Sequence, residues 1–118
     1  MPTSSIDVFY PKNKLLKVNQ SLSNGEEITS GWQPSTGSTA VVGFFIADNG
    51  SGAANADLVI EQSIDKSESD ITDVYSPTAA GDGQILQVGL MGRYVKATVF
   101  ANQDISKVRT IVYKSTVT

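Results

Sequence analysis

The stretch that decides the fold is RYVKATVFA, residues 93–101, in which small apolar residues alternate with larger or polar ones. Successive side chains on a β-strand point to opposite sides, so every second residue from Val95 to Ala101 shares one apolar face. The stretch ADLVIEQSID, residues 56–65, alternates in the same way. Short strands with one apolar face hide it by stacking sheet on sheet. The two stretches therefore predict an antiparallel β-sandwich.

Turn-forming residues divide the rest of the chain into similar short segments. Clusters of Ser, Thr, Gly, Asn and Asp recur roughly every eight to twelve residues, a spacing typical of sandwiches and barrels. The predicted strands cover residues 13–22, 26–32, 39–47, 57–64, 71–75, 84–90, 93–101 and 107–117. We predict an all-β protein, a single antiparallel β-sandwich of about eight strands, jelly-roll-like. It occupies residues 13–118 and follows an N-terminal arm, residues 1–12.

Composition limits the function classes. The chain has 118 residues, 40% of them hydrophobic and 18% charged, as expected for one globular domain. Its net charge of −3 argues against nucleic-acid binding, which needs clustered Lys and Arg. No apolar run is long enough to span a membrane, and the N-terminus lacks the pattern of a signal peptide. We expect neither a nucleic-acid nor a membrane partner, and synthesis in a cytoplasm.

Two residue types are missing from the sequence. Without Cys there is no disulfide, thiolate nucleophile or Cys-based zinc site. Without His there is no Ser-His-Asp triad, and the most frequent general base and transition-metal ligand is lost. Carboxylate chemistry and a calcium site stay open, but no spacing selects a pair of acids. We therefore predict no enzyme activity, no catalytic residues, no cofactor and no metal.

An acidic segment between two predicted strands is the one candidate for calcium. Asp65, Glu68, Asp70 and Asp73 supply the oxygen ligands that calcium prefers. Their spacing does not fit an EF-hand, and the segment contains no glycine. A solvated hairpin tip is the favoured interpretation.

Aromatic residues raise a second possibility, a surface that stacks on sugar rings. Trp32, Tyr75, Tyr94 and Tyr113 are candidates, but they lie on different predicted strands. A Trp on a β-strand more often belongs to the core, with its N–H group bonded to backbone. Trp32 is accordingly assigned to the core. The full set of predicted core residues is Trp32, Val42, Phe44, Ile46, Leu58, Ile60, Val95, Val99 and Ile111.

Charge is unevenly distributed along the chain. Residues 57–73 are mainly acidic, and residues 93–114 are mainly basic. Neighbouring strands with complementary outer faces explain this pattern, each cross-strand pair contributing a few tenths of a kcal/mol. Contact between the acidic edge of one subunit and the basic edge of another is the alternative.

The predicted N-terminal arm is unusually apolar for a free tail. Ile6, Val8, Phe9 and Tyr10 lie close together, and Pro11 stiffens the exit. We predict that these residues are pinned, either on the sheet of their own domain or on a neighbouring subunit. An ordinary first strand of the same domain is the competing interpretation.

Several segments together resemble small β-sandwich structural domains of tailed-bacteriophage virions. The pattern comprises Gly31-Trp32, the apolar strand ending at Asp48, LVIEQSID at residues 58–65, RYVKATVFAN at residues 93–102 and a closing strand at residues 108–113. It covers most of the chain. The sequence departs from it at Lys96, where the family usually has Arg, and in the turn that follows Ile64.

The resemblance implies a virion component: a capsid decoration, head-fibre or tail-associated protein. A free-standing domain with an apolar arm favours a capsid decoration or head-associated protein, located in the virion after synthesis in the bacterial host cytoplasm. Its partners would be other virion proteins, the major capsid protein first, and copies of itself, with a trimer as the first expectation. The alternative is a carbohydrate- or host-surface-binding module of a phage tail or baseplate.

Overall fold

The computed structural model of the protein describes residues 14–49, 54–76 and 83–115. These residues form strands with the following bounds: β1 Lys14–Leu22, β2 Glu27–Thr29, β3 Gln33–Pro34, β4 Ala40–Asp48, β5 Ala56–Ser63, β6 Ile71–Tyr75, β7 Gln84–Gly89, β8 Tyr94–Ala101 and β9 Ile105–Ser115. The predicted strand at 26–32 is shorter, with only Glu27–Thr29 forming β2, and β3 lies just beyond its predicted end. Gly31 lies between them with a φ of +68°, a conformation that ends the extended run.

The strands form two antiparallel sheets. The first sheet has the order β1-β9-β4-β7, and the second has the order β2-β8-β5-β6, with β3 also paired to β8. Two connections stay within the second sheet, the one from β2 to β3 and the one from β5 to β6. Every other connection crosses from one sheet to the other. This connectivity is that of a jelly roll, so the predicted all-β sandwich is confirmed. Within the described residues, no helix has the length and apolar character needed to cross a membrane.

The core lies between the two sheets. Alternate residues of β5 and β8 point inward, including Leu58, Ile60, Val95 and Val99, all fully buried. The first sheet contributes Val41, Phe45, Leu86, Val108 and Val112, among others. Each fully buried side chain of this size stabilises the fold by roughly 1.5–3 kcal/mol relative to its exposed state.

Four of the residues expected in the core lie elsewhere. Val42, Phe44, Ile46 and Ile111 are only half-buried, on the outer face of the first sheet. On β4 the inward positions are instead Val41, Phe45 and Ala47, and on β9 the inward neighbour of Ile111 is Val112. The sequence predicted the opposite set of inward residues because residues 40–47 are apolar without interruption. When every residue of a strand is apolar, the alternation of side chains does not indicate which face is buried.

Trp32 also differs from the expectation that it belongs to the core. It is half-buried and lies between Gly31 and the short β3. The Lys96 ammonium sits over its ring, 4.6 Å from the centroid, on the outer surface of the second sheet. A cation–π contact of this kind takes the place of core packing.

The predicted arm, residues 1–12, lies outside the described residues. The first described strand, β1, is at the edge of the first sheet, where Lys14 is the register partner of Tyr113 on β9. The chain therefore enters the sandwich beside β9, at the end of the sheet where Tyr113 and Val42 are paired. This position matters for the surface described below.

Gly43 on β4 is expected to tolerate no side chain. A Cβ atom placed there would lie 2.2 Å from the Ile111 carbonyl oxygen and 2.9 Å from the Val112 Cα. Both are backbone atoms of the neighbouring strand, so they have no rotamer by which to move away. Gly43→Ala should lower the free energy of unfolding by about 3 kcal/mol, at the upper end of usual overpacking losses. Urea denaturation followed by Trp32 fluorescence measures this.

Gly89, on β7 of the same sheet, supplies the matched control. A Cβ atom there would meet no atom within 4 Å. Gly89→Ala should therefore change the free energy of unfolding by less than about 0.5 kcal/mol. Equal losses in the two variants would show that the effect comes from the loss of glycine itself and not from the close approach of β9.

Candidate functional site

The outer face of the first sheet is apolar where solvent-facing sheets are normally polar. Val42 and Tyr113 are register partners, and in the next row Phe44 pairs with Ile111 on one side and Ile85 on the other. Ile85 is 86% exposed, whereas the other four are half-buried. Contiguous exposed apolar side chains of this kind mark sites of interaction in soluble proteins.

These side chains line an open groove of about 410 Å³, which we call the outer groove. It is formed by Val42, Gly43, Phe44, Ile85, Leu86, Gln87, Ile111 and Tyr113. Its volume falls in the range of roughly 300–1,000 Å³ seen for binding pockets. Gly43 forms part of the floor, because the absence of a side chain there lets β4 and β9 approach closely.

A cationic rim borders the outer groove on the side of β1. Phe44 and Ile111 also line a smaller adjoining depression of about 200 Å³, together with Lys17, Asn19 and Arg109. Lys17 and Arg109 are exposed on β1 and β9, so their charges remain in solvent next to apolar surface. An apolar centre with a polar, charged rim is the usual anatomy of a protein interface.

The sequence explains why this face is apolar. β4 is an interior strand of its sheet, flanked by β9 and β7, and it carries apolar residues on both faces. The inner face is covered by the second sheet. Among the described residues no second layer covers Phe44 and Ile85. The outer face is therefore apolar, as a buried surface would be, although it is accessible to solvent.

The outer face of the second sheet is different in character. Lys96 contacts Glu61 across the β5–β8 pair, with Nζ 3.7 Å from Oε1, and also covers Trp32. This pair realises the predicted complementarity between acidic and basic strands. It is partly exposed, so it contributes only about 0.2–1 kcal/mol. Phe100 is exposed there but pairs with Glu27 and Asp57 in the register, so its apolar surface is isolated.

The four aromatic residues considered for sugar stacking lie in different surroundings. Tyr75 packs against the core, and partial burial with the nearby Asp73 charge raises the pKa of its hydroxyl. Tyr113 belongs to the outer groove. Trp32 and Tyr94 are on the second sheet, and each ring has a lysine ammonium over it, with Lys66 at 5.0 Å from the Tyr94 centroid. They do not form one common platform.

The acidic segment after β5 is a tight, self-bonded turn. The Asp65 carboxylate accepts hydrogen bonds from the Ser67 amide at 2.9 Å and the Ser67 hydroxyl at 2.6 Å, and these bonds hold the pKa of Asp65 below its usual value. Asp70 accepts a bond from the Ile64 amide, and Lys66 adopts a φ of +69°. Over the described parts of the chain, no three acidic side chains gather as metal ligands would.

Of the candidate residues singled out in the sequence, Phe44, Val42 and Ile111 are brought together in the outer groove, although they were assigned to the core. Ile85 was not singled out, and its signal is weak, because β7 alternates Ile85 and Gln87 outward with Leu86 and Val88 inward. Ile6, Val8, Phe9 and Tyr10, predicted as an assembly arm, lie outside the described residues.

The fold is shared with known structures. The chain is similar to a protein from Bacillus endospore appendages, described as a novel family of disulfide-linked pili, with a TM-score of 0.50 and 10% identity over 87% of this chain and 85% of that one. It is also similar to VP2 of the infectious bursal disease virus subviral particle, with a TM-score of 0.46 and 12% identity over 83% of this chain and 30% of that one. No family model matches the sequence, and no curated protein matches it significantly. At 10% identity the likeness to the endospore-appendage protein is one of fold alone.

Proposed function

We propose that this chain is a non-enzymatic structural protein of a bacteriophage virion, a capsid decoration or head-associated protein that binds the assembled particle. The observation that carries the proposal is the apolar outer face of the first sheet. The core between the sheets is already complete without that face. A jelly roll with a finished core and a second apolar surface is built to be covered by another polypeptide.

Two further points support this function. The fold is similar to that of a protein from Bacillus endospore appendages, which are described as disulfide-linked pili. The sequence contains no cysteine, so disulfide bonds cannot join copies of this chain as they do in a disulfide-linked pilus. The sequence pattern from about Ile28 to Tyr113 resembles tailed-phage virion domains, which supplies the virion context. The major capsid protein is the proposed partner, and the chain acts as a homo-oligomer.

Removal of residues 1–10 is expected to abolish binding to particles assembled without this protein, as measured by co-sedimentation. The apolar residues Ile6, Val8, Phe9 and Tyr10 are lost, whereas the buried core runs from Leu15 to Val112 and is left intact. The far-UV circular dichroism spectrum should therefore be unchanged. Removal of residues 1–5 alone is the control and should leave binding at the level of the full chain.

Two results would contradict this proposal in different ways. Undiminished binding by the chain that lacks residues 1–10 would refute the role of the arm. Failure of the full chain to bind particles would refute the virion assignment itself. A blank glycan array with the full chain would at the same time remove the alternative, a host-surface-binding module, for which the half-exposed Trp32 is the one favourable feature.

A further inference from the structure

We infer that the segment Ile6–Tyr10 of one copy of the chain occupies the outer groove of a neighbouring copy, so that subunits are joined by exchanged arms. The inference rests on the assembly role given to the arm in the proposed function. It adds the receiving surface and the identity of the partner, which is a second copy of this chain.

The chemistry of the segment matches the groove. Residues 6–10 read IDVFY, four apolar side chains and one carboxylate. The outer groove is lined mainly by aliphatic and aromatic side chains, and Lys17 and Arg109 stand at its rim. In an extended segment Ile6, Val8 and Tyr10 share one face, which can enter the groove, while Asp7 and Phe9 share the other. The single carboxylate of the segment is opposite in charge to the cations at the rim.

The position of the segment brings it to the right end of the sheet. Tyr10 is four residues before Lys14, a span of at most about 13 Å when extended. Lys14 is the register partner of Tyr113, which lines the groove. The other segments outside the described residues, 50–53, 77–82 and 116–118, contain no comparable run of large apolar residues.

Exchange between copies is favoured over docking on the same copy by the direction of the chain. β1 runs from Lys14 toward Leu22, alongside Tyr113 to Ile105 of β9. An arm that continued the line of β1 backwards from Lys14 would therefore lead away from the row that contains Ile111 and Phe44. Docking on its own groove would need a reversal of the chain within residues 11–13, whereas docking on a neighbouring copy needs none.

An arm that enters the groove of the next copy makes a head-to-tail contact. Such contacts use two different surfaces of each subunit and generate either closed rings or open filaments. A ring of three satisfies the expected trimer, with every outer groove filled and every arm engaged. The apolar outer face of the first sheet is then covered in the assembly.

The test uses two full-length variants of the purified chain and sedimentation velocity. The arm variant, Ile6→Ser with Val8→Ser, keeps an intact groove. The groove variant, Phe44→Ser with Ile85→Glu, keeps an intact arm. We expect the wild-type chain to be oligomeric and each variant alone to associate at least about tenfold more weakly, as loss of a buried apolar side chain implies. Mixing the two variants should restore association as a heterodimer, since one arm and one groove remain competent.

The structure also supplies a control variant and the outcomes that would contradict the inference. Ile64→Ser with Val74→Ser alters two exposed apolar residues away from the groove, 64% and 57% accessible, and should leave the oligomer intact. A wild-type monomer, or mixed variants that stay monomeric, overturns the inference. So does an oligomer lost in the groove variant but kept in the arm variant, which would indicate face-to-face packing of two sheets. No particle is present, so failure of the proposed virion function leaves this result unaffected.

Discussion

Replacement of Phe45 by alanine is expected to lower the free energy of unfolding by about 3–5 kcal/mol, the usual range for removing a core phenylalanine. The Phe45 side chain is fully buried between the sheets on β4. Its strand is paired on both sides, with β9 and β7, so the backbone cannot collapse into the space left behind. Urea denaturation of the full chain, followed by the fluorescence of its single tryptophan, Trp32, gives the value directly.

Phe44→Ala is the control for that measurement, because it removes the same side chain one residue earlier. Phe44 points to the opposite face of β4 and is half-buried in the outer groove. In the monomeric chain the loss should be about 1 kcal/mol. At a protein concentration low enough for the chain to be monomeric, a loss at Phe44 as large as that at Phe45 would mean that the outer groove is filled by the chain's own residues, and it would contradict exchange of arms between copies.

Phe44 and Phe45 also show a limit of prediction from the sequence, which does not indicate which face of β4 is buried. On β8, Lys96 and Tyr94 interrupt the apolar residues and mark the outward face, so the inward position of Val95 and Val99 followed from alternation alone. On β4, nothing polar stands between Thr39 and Asp48, and both phases fit the pattern equally well. The apolar run correctly indicated two apolar faces, but only the three-dimensional arrangement shows which of them the second sheet covers.

On β9 the pattern of polar and apolar residues is mixed. Arg109, Ile111 and Tyr113 share the outward face, whereas Thr110 points inward and is 2% exposed. The Thr110 hydroxyl donates a hydrogen bond to the Phe44 carbonyl, which satisfies it inside the sandwich. A buried polar residue of this kind offsets the outward signal of Arg109, which is why Ile111 was expected in the core.

Strand positions were predictable where turn chemistry marks them. Asn24-Gly25 closes the connection from β1 to β2, with Gly25 at a φ of +87° and its amide donating to the Ala101 carbonyl at 2.8 Å. The order of strands was beyond the sequence. It depends on contacts between distant segments, such as β1 with β9, and no local pattern encodes such pairings.

Gln62 is expected to be the most sensitive polar residue of the core. It continues the inward face of Leu58 and Ile60 on β5 and is 1% exposed. Its side-chain carbonyl accepts hydrogen bonds from the amides of Met91 at 2.7 Å and Gly92 at 2.9 Å. Its amide donates to the Gly89 carbonyl at 2.9 Å. One side chain thus satisfies three backbone groups in the connection from β7 to β8.

Gln62→Leu keeps the approximate size of the side chain but leaves those three groups without their partner. The three bonds are partly buried and each contributes about 1 kcal/mol, so the expected decrease in the free energy of unfolding is on the order of 3 kcal/mol. Thermal and urea denaturation both report it. Hydrogen exchange should also speed up at Met91 and Gly92, which a purely apolar packing defect would not cause.

Gln87→Leu is the matched substitution, since Gln87 is exposed on β7 and should tolerate leucine with a change below about 0.5 kcal/mol. If Gln62→Leu were as mild as Gln87→Leu, the connection from β7 to β8 would have to find other partners for its backbone. The close packing of Gly92 argues against such movement, because a Cβ atom there would already lie 3.1 Å from the Ser63 backbone. The glutamine is therefore the only side chain among the described residues seen to tie this connection to β5, and its removal should loosen the link between the two sheets.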